Sequence, residues 1–371
     1  MRDTIVVAGA VAQRPQQAGH AWQFLQYLLG FRRLGWDVLF VDRLETRDEG
    51  NIDWFAEVMR AADLADSCAL LVDGVSVFGV DRQHVLERTR RSALLLNVMG
   101  YLDDEEVLAA APKRVFLDTD PGFGQMWLEL GLADIFSGHD VHVTVAENIG
   151  RDDCAIPTCG LDWKTTKQPV VLDQWRRHDS WRQPAFTSVG AWRGPYAPIS
   201  LNGVTYGLRV HEFRKFAEIP RLSGRRFELA LDIDSAERYD LDLLRDNGWR
   251  LVSPRQVAGD LWTYRSFLQS SFAEFMVARG IYVQARSGWF SERSICYLAS
   301  GTPVLAQDTG LDGLLPSGDG LVTFTTADEA AAGVESICAD HERHAVAAAE
   351  LAEAYFDSDL VLPRLLSAVG V

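Results

Sequence analysis

The sequence predicts an α/β protein made of two Rossmann-like domains in tandem. Three observations carry this: short apolar runs rich in β-branched residues recur along the chain, segments of helical spacing fall between them, and the alternation breaks once near the middle before resuming. A length of 371 residues is long for one core and comfortable for two. Apolar content of 47% with 24% charged residues describes an ordinary globular chain rather than a disordered one.

The first strand is read at "TIVVAGAV" (4–11), a continuous apolar run suited to a buried parallel strand, with Asp3 before it. In "AGHAWQFLQYLLGFRRLGWDVLFVD", Trp22, Leu25, Leu28 and Leu29 recur at helical spacing, and Gly35 stops the helix before the strand "DVLFVD". Together these make one βαβ unit with an expected right-handed crossover. Further strands are read at "SCALLVDG", "SALLLNV", "RVFLDTD" and "VHVTVAE". Between roughly 150 and 185 three prolines and a loss of period mark an interdomain linker.

The second alternation runs through "AFTSVGAW", a helix at "VHEFRKFAEIPRL", "RFELALDI", a helix at "YDLDLLRDNGW" and "RLVSP". It continues with a helix over 261–279, a strand at "GIYVQAR", a glycine turn and the helix "SICYLAS". Strands "TPVLAQD" and "GLVTF", a helix at "TADEAAAGVESIC" and a helical tail complete it. The expected domains are 1–165 and 166–345, with 346–371 as a C-terminal helix. Two such domains facing each other create a central cleft, and ligands of open α/β sheets sit at the carboxyl ends of strands.

A net charge of −16 argues against a nucleic-acid partner, which calls for a basic face. No apolar run reaches the roughly 20 residues that span a bilayer, and the N-terminus does not read as a signal peptide, so cytoplasmic residence is expected. The five cysteines (68, 154, 159, 296 and 338) lack zinc-site spacing and read as reduced. The fingerprints G-x-G-x-x-G and G-x-x-x-x-G-K-[ST] are absent, which disfavours nicotinamide dehydrogenases and P-loop NTPases.

The stretch "SGWFSERSICYLASGTPVLAQDTG" (287–310) places Gly288, Ser291, Glu292, Arg293 and Ser294 at the mouth of an apolar helix. One reading is a serine cap with an acidic first turn. The other is a phosphate held by free N–H groups, with Arg293 adding a charge-assisted contact. Local sequence leaves both open.

This stretch, with "GDGLVTFTTADEAAAGVESI" behind it, resembles the nucleotide-sugar-binding domain of GT-B glycosyltransferases. The N-terminal "AGHAWQFLQYLLGFRRLGWDVLFVD" is similar to that family's opening pattern, and the tail to its terminal helix, which often crosses back to the first domain. The resemblance implies a metal-independent transfer of sugar from a nucleotide-diphosphate donor to a small-molecule or glycan acceptor, without cofactor. Retaining members carry two glutamates before the G-x-P glycine, and those slots here hold Gly288 and Cys296; Glu292 is the candidate replacement.

Donor contacts are expected from Gly288, Ser291, Glu292, Arg293 and Ser294, from Asp308, Thr309 and Gly310, and from Arg193 with Arg209 or Lys215. His20, at the mouth of the first helix, is the candidate base, with Asp118 and Asp120 as partners or alternatives. "DTD" also spells the metal motif of GT-A enzymes, as does Asp232-x-Asp234, but no metal is expected here. His139, Asp140 and His142 are adjacent on a strand edge, only 140 and 142 sharing a face, and read as a surface strand. A homodimer is compatible with this reading. An epimerase of the same fold, or a silent sugar- or nucleotide-binding module, are its alternatives.

Overall fold

The computed structural model describes residues 4–176 and 183–371. The expectations placed on Asp3 and on 177–182, inside the mid-chain break, lie outside the described residues. The chain divides into two compact units, and it passes between them four times. One holds residues 1–146, 158–171 and 357–371; the other holds 147–157 and 172–356.

The first unit is built on eight strands: β1 (Thr4–Gly9), β2 (Asp37–Leu44), β3 (Cys68–Val72), β4 (Val75–Gly79), β5 (Ser92–Val98), β6 (Arg114–Asp118), β7 (Val141–Thr144) and β8 (Trp163–Thr165). Their order is β4-β3-β2-β1-β5-β6-β7-β8, parallel except for the β3–β4 hairpin. The sequence runs outward from β1 in one direction and then from β5 in the other, so the switch point lies between β1 and β5. Val6, Ala8, Leu39, Val41, Ala69, Leu71 and Leu95 build one apolar face of the sheet, closed by Val85, Leu102 and Val107. β7 lies inside the sheet rather than at its edge. Asp140 is held by Arg114 at 2.7 Å, while His139 and His142 both contact Phe136 O.

The C-terminal tail forms two helices. His341–Tyr355 belongs to the second unit and Ser358–Ala368 to the first, so the division falls inside the single helix expected over 346–371. The last helix is tied to the helix Ala18–Arg33 by Arg33–Asp359 at 2.8 Å. Lys113 Nζ donates to Val369 O and Gly370 O at its end.

The second unit carries β9 (Gln183–Ala191), a hairpin of β10 (Ile199–Leu201) and β11 (Val204–Tyr206), β12 (Phe227–Asp232), β13 (Trp249–Val252), β14 (Ser271–Met276), β15 (Val304–Gln307) and β16 (Leu321–Phe324). Its main sheet is parallel in the order β13-β12-β9-β14-β15-β16, with the switch point between β9 and β14. Phe186, Phe227, Phe213, Trp249 and Phe275 dominate the core.

Three expectations fail here for physical reasons. The helix over 261–279 ends at Ser270, and β14 follows at once. "SFAEFM" carries its apolar residues at helix-compatible spacing, but β14 is an interior strand buried on both faces, where alternation disappears. "GIYVQAR" is a short helix, Gly280–Gln284, rather than a strand. The helix over 210–222 breaks into Arg209–Phe213 and Ile219–Ser223, the second starting with Pro220 in its first turn.

Candidate functional site

The carboxyl ends of β9 and β14 gather three arginines. Arg293, in the first turn of the helix Glu292–Ala299, donates from Nη1 to Val189 O at 2.7 Å and from Nε to Glu274 Oε1 on β14 at 2.6 Å. Both partners are buried, Arg293 at 7% exposure and Glu274 at 0%. Burial pushes the Glu274 carboxyl up against the opposing pull of Arg293. Burial works against the Arg293 charge too, but the carboxylate keeps its pKa above the usual value. Arg293 is therefore a strut between β9, β14 and the helix, which corrects the expectation that its guanidinium is held ready for a phosphate. Glu274 Oε2 is buried beside it, with the Ser294 hydroxyl next to the carboxylate.

Arg209 begins the helix Arg209–Phe213 and runs back to the end of β9. A side chain at Gly190 would collide with its Nη1. Its Nε is buried without an acceptor, and no ion pair reaches its guanidinium among the described residues. Burial pulls its pKa down to about 9, and the neighbouring Arg293 and Arg279 add to the fall. Arg279, which the sequence reading missed, lies over the rings of Tyr196 and Tyr282. A half-buried cation crowded by two others is unfavourable unless an anion completes the site.

The helix Glu292–Ala299 starts beside these arginines. Ser291 sits at the cap position, but its side chain caps nothing, and the N–H groups of Glu292, Arg293 and Ser294 find no acceptor among the described residues. Three open amides at the positive end of a helix dipole suit an oxyanion. Among the four "SERS" side chains only Glu292 is part-exposed; the other three are buried.

The turn before this helix and the loop after β15 brace each other. Gly288 N donates to Thr309 O at 2.8 Å, and Thr309 Oγ1, fully buried, donates to Trp289 O at 2.6 Å. Asp308 Oδ1 accepts from Gly310 N and Leu311 N at 3.1 and 2.9 Å. The side chains of Asp308 and Thr309 thus hold the loop rather than project from it. Arg193 and Lys215 are also engaged: Arg193 pairs with Glu237, and Lys215 Nζ lies 2.8 Å from Glu212, which also accepts from Gln307. The structure brings Arg209, Arg293 and the "SERS" turn together at the switch point and leaves Arg193 and Lys215 in their own ion pairs.

In the first unit the β1/β5 switch point holds His20. Its Nε2 contacts Ala10 O at 3.1 Å, which fixes the proton there and leaves Nδ1 as the lone pair. The ring packs edge-on against Phe24 and Tyr101 at 5.1 and 6.3 Å. Burial pulls its pKa down to about 4, with Arg14 pushing the same way, so the imidazole is neutral at neutral pH. Asp42, fully buried, accepts from Ala12 N at 2.7 Å and Arg43 N at 2.6 Å, anchoring the connection from β1.

Asp118 is a joint in the sheet. Its carboxylate accepts from Gln125 Nε2 at 2.6 Å, Thr144 Oγ1 at 2.9 Å and Asp120 N at 3.2 Å. Burial raises its pKa to about 6. Its oxygens are thus committed to these three donors, and Asp120 meets it through its backbone amide.

No family model matches the sequence, and no curated protein matches it. Solved structures do match over nearly the whole length. AviGT4, a glycosyltransferase involved in avilamycin A biosynthesis, gives a TM-score of 0.59 at 14% identity, covering 99% of this chain and 96% of that one. An alpha-glucosyltransferase in complex with UDP and a 13-mer DNA gives 0.61 at 11% identity, with 100% of both chains covered. The chain has the GT-B fold. Anabaena HepE in complex with UDP and glucose gives 0.58 at 13% identity, with 99% and 100% covered. At such identities the GT-B likeness describes architecture, and roles must be argued from side chains.

Proposed function

We propose that this chain is a glycosyltransferase whose second unit holds the diphosphate of a nucleotide-sugar donor at the carboxyl ends of β9 and β14. The observation that carries the reading is Arg209: a cation with a buried, unpartnered Nε, crowded by Arg279 and Arg293, at a topological switch point. Arg209, Arg279 and the first-turn amides of the Glu292 helix would meet the diphosphate, and Glu292 would reach a donor hydroxyl. The neighbours solved with UDP support the same reading.

In the reaction the bond from the anomeric carbon to the diphosphate oxygen breaks. The acceptor oxygen bonds to that carbon, and the acceptor proton leaves to a base. Charge gathering on the leaving diphosphate would be met by arginine and by the helix dipole without a metal. His20 is the candidate acceptor-side base, through Nδ1. Its low pKa keeps the lone pair available and makes it a weak base, so its contribution stands near the lower end of the usual range, about a hundredfold in kcat.

The test is calorimetry of Arg209→Ala with UDP, dTDP, GDP and ADP. For the nucleotide that wild type binds, the expected loss is about a hundredfold in affinity with no fall in melting temperature. Unchanged affinity would sink the assignment. Nucleotide release from a panel of nucleotide sugars, with and without hydroxyl acceptors, separates a transferase from an epimerase or a silent binding module.

A further inference from the structure

The turn Ser287–Phe290 and the loop 308–310 are far apart in sequence from the residue that joins them. Asn148 follows β7, in the short excursion 147–157 that the chain makes into the second unit before returning to the first. Its backbone N donates to Ser287 O at 3.1 Å. Its side-chain Nδ2 donates twice, to Arg286 O at 2.9 Å and to Gly310 O at 2.7 Å. The excursion is pinned again by Ala155 N to Ala285 O at 3.0 Å and by Asp153 to Arg286 at 3.2 Å.

Gly288 and Gly310 both have left-handed backbones, φ +72° and +90°. A Cβ at either would press on the same side chain, 3.0 Å from Asn148 Cγ at position 288 and 2.8 Å from Nδ2 at position 310. Both glycines thus make room for one amide. Asn148 is buried at 2% exposure, and its Oδ1 has no partner, so its place is set by what Nδ2 and the backbone donate.

We infer that Asn148 is a positioning residue for the donor site: by clasping Arg286 O and Gly310 O it sets the turn that delivers the open amides of the Glu292 helix. The inference rests on the donor reading above, and it assigns to a segment outside the Rossmann-like core the task of holding that site in register. A lost Nδ2 leaves two backbone carbonyls without their donor and frees the turn and the loop to separate.

Asn148→Ala and the near-isosteric Asn148→Asp test it, with Lys113→Ala as a control that loosens the C-terminal tail of the other unit. UDP, dTDP, GDP and ADP are titrated by calorimetry, and amide exchange is followed over 285–290 and 308–310. The expected result is about a tenfold weaker nucleotide affinity in both Asn148 variants, with exchange at Gly288 about tenfold faster. Lys113→Ala, at a similar loss in melting temperature, should change neither. Asn148→Asp should regain affinity as the pH falls and the carboxyl can donate again. Unchanged affinity in both variants, when wild type binds, overturns the positioning role alone, as does unchanged exchange at Gly288. Failure of wild type to bind any of the four nucleotides overturns the donor reading itself, and the positioning role falls with it.

Discussion

The two switch points of this molecule are built from the same topology and opposite chemistry. At the ends of β1 and β5 the polar groups are neutral or self-contained: a neutral His20 on a carbonyl, and Asp42 closed around backbone amides. At the ends of β9 and β14 three arginines crowd together, and one buried carboxylate answers one of them. A Rossmann-like sheet supplies open strand ends and helix starts in both cases. Its loops decide whether the crevice attracts an anion or shelters a neutral hydroxyl.

The contrast can be broken most severely at Arg293. Arg293→Ala should cost about 3–5 kcal/mol of unfolding free energy, because it strands the Glu274 carboxylate in the core. Urea unfolding measures this, and a loss below about 1 kcal/mol would show that Arg293 is not the strut described. Arg209→Ala should behave oppositely, losing ligand while keeping stability, since it removes a cation from the cluster. Gly288→Ala comes next. Its left-handed backbone and the Asn148 contact predict about 1–3 kcal/mol of destabilisation by thermal melting. A neutral result there would mean that the turn yields easily.

The last effect sharpens the neutral side and is a matter of slope. Burial raises Asp42 to about 7, so from pH 4 to 7 the folded chain keeps a proton that the unfolded chain has shed. The stability linked to Asp42 is present below its unfolded pKa and fades as pH rises through 7. Asn at position 42 cannot follow this change, so the melting temperature of Asp42→Asn should gain on wild type across that window. A constant difference would mean that Asp42 stays ionised. His20 works in the other direction, contributing stability above its unfolded pKa that is lost as pH falls toward 4.

Much of the fold was legible because parallel strands and amphipathic helices announce themselves locally. The βαβ opening, the β5 and β6 runs and the "GTPV" strand are read directly from apolar pattern. β14 was not legible, because a strand buried on both faces loses the alternation that separates it from a helix. In the candidate site, Arg209 and the "SERS" turn stood out by residue type and position. Arg279 and Asn148 could not, since the arginines beside the one and the glycines beside the other lie more than ten residues away along the chain. The role expected of Arg293 failed for a related reason: whether a guanidinium faces a ligand or a buried Glu274 is decided by a strand 19 residues away. Sequence patterns give periodicity, whereas pairing across a fold is a tertiary property.

The four passages of the chain between the units have a consequence for anyone who recombines this protein. A single crossover near residue 171, the natural place to exchange halves between relatives, would take residues 172–356 from one parent and 147–157 from the other. Asn148 would then meet a foreign turn in place of Gly288 and Gly310. A working chimera therefore requires the excursion to travel with the second unit, as a small graft inside the first.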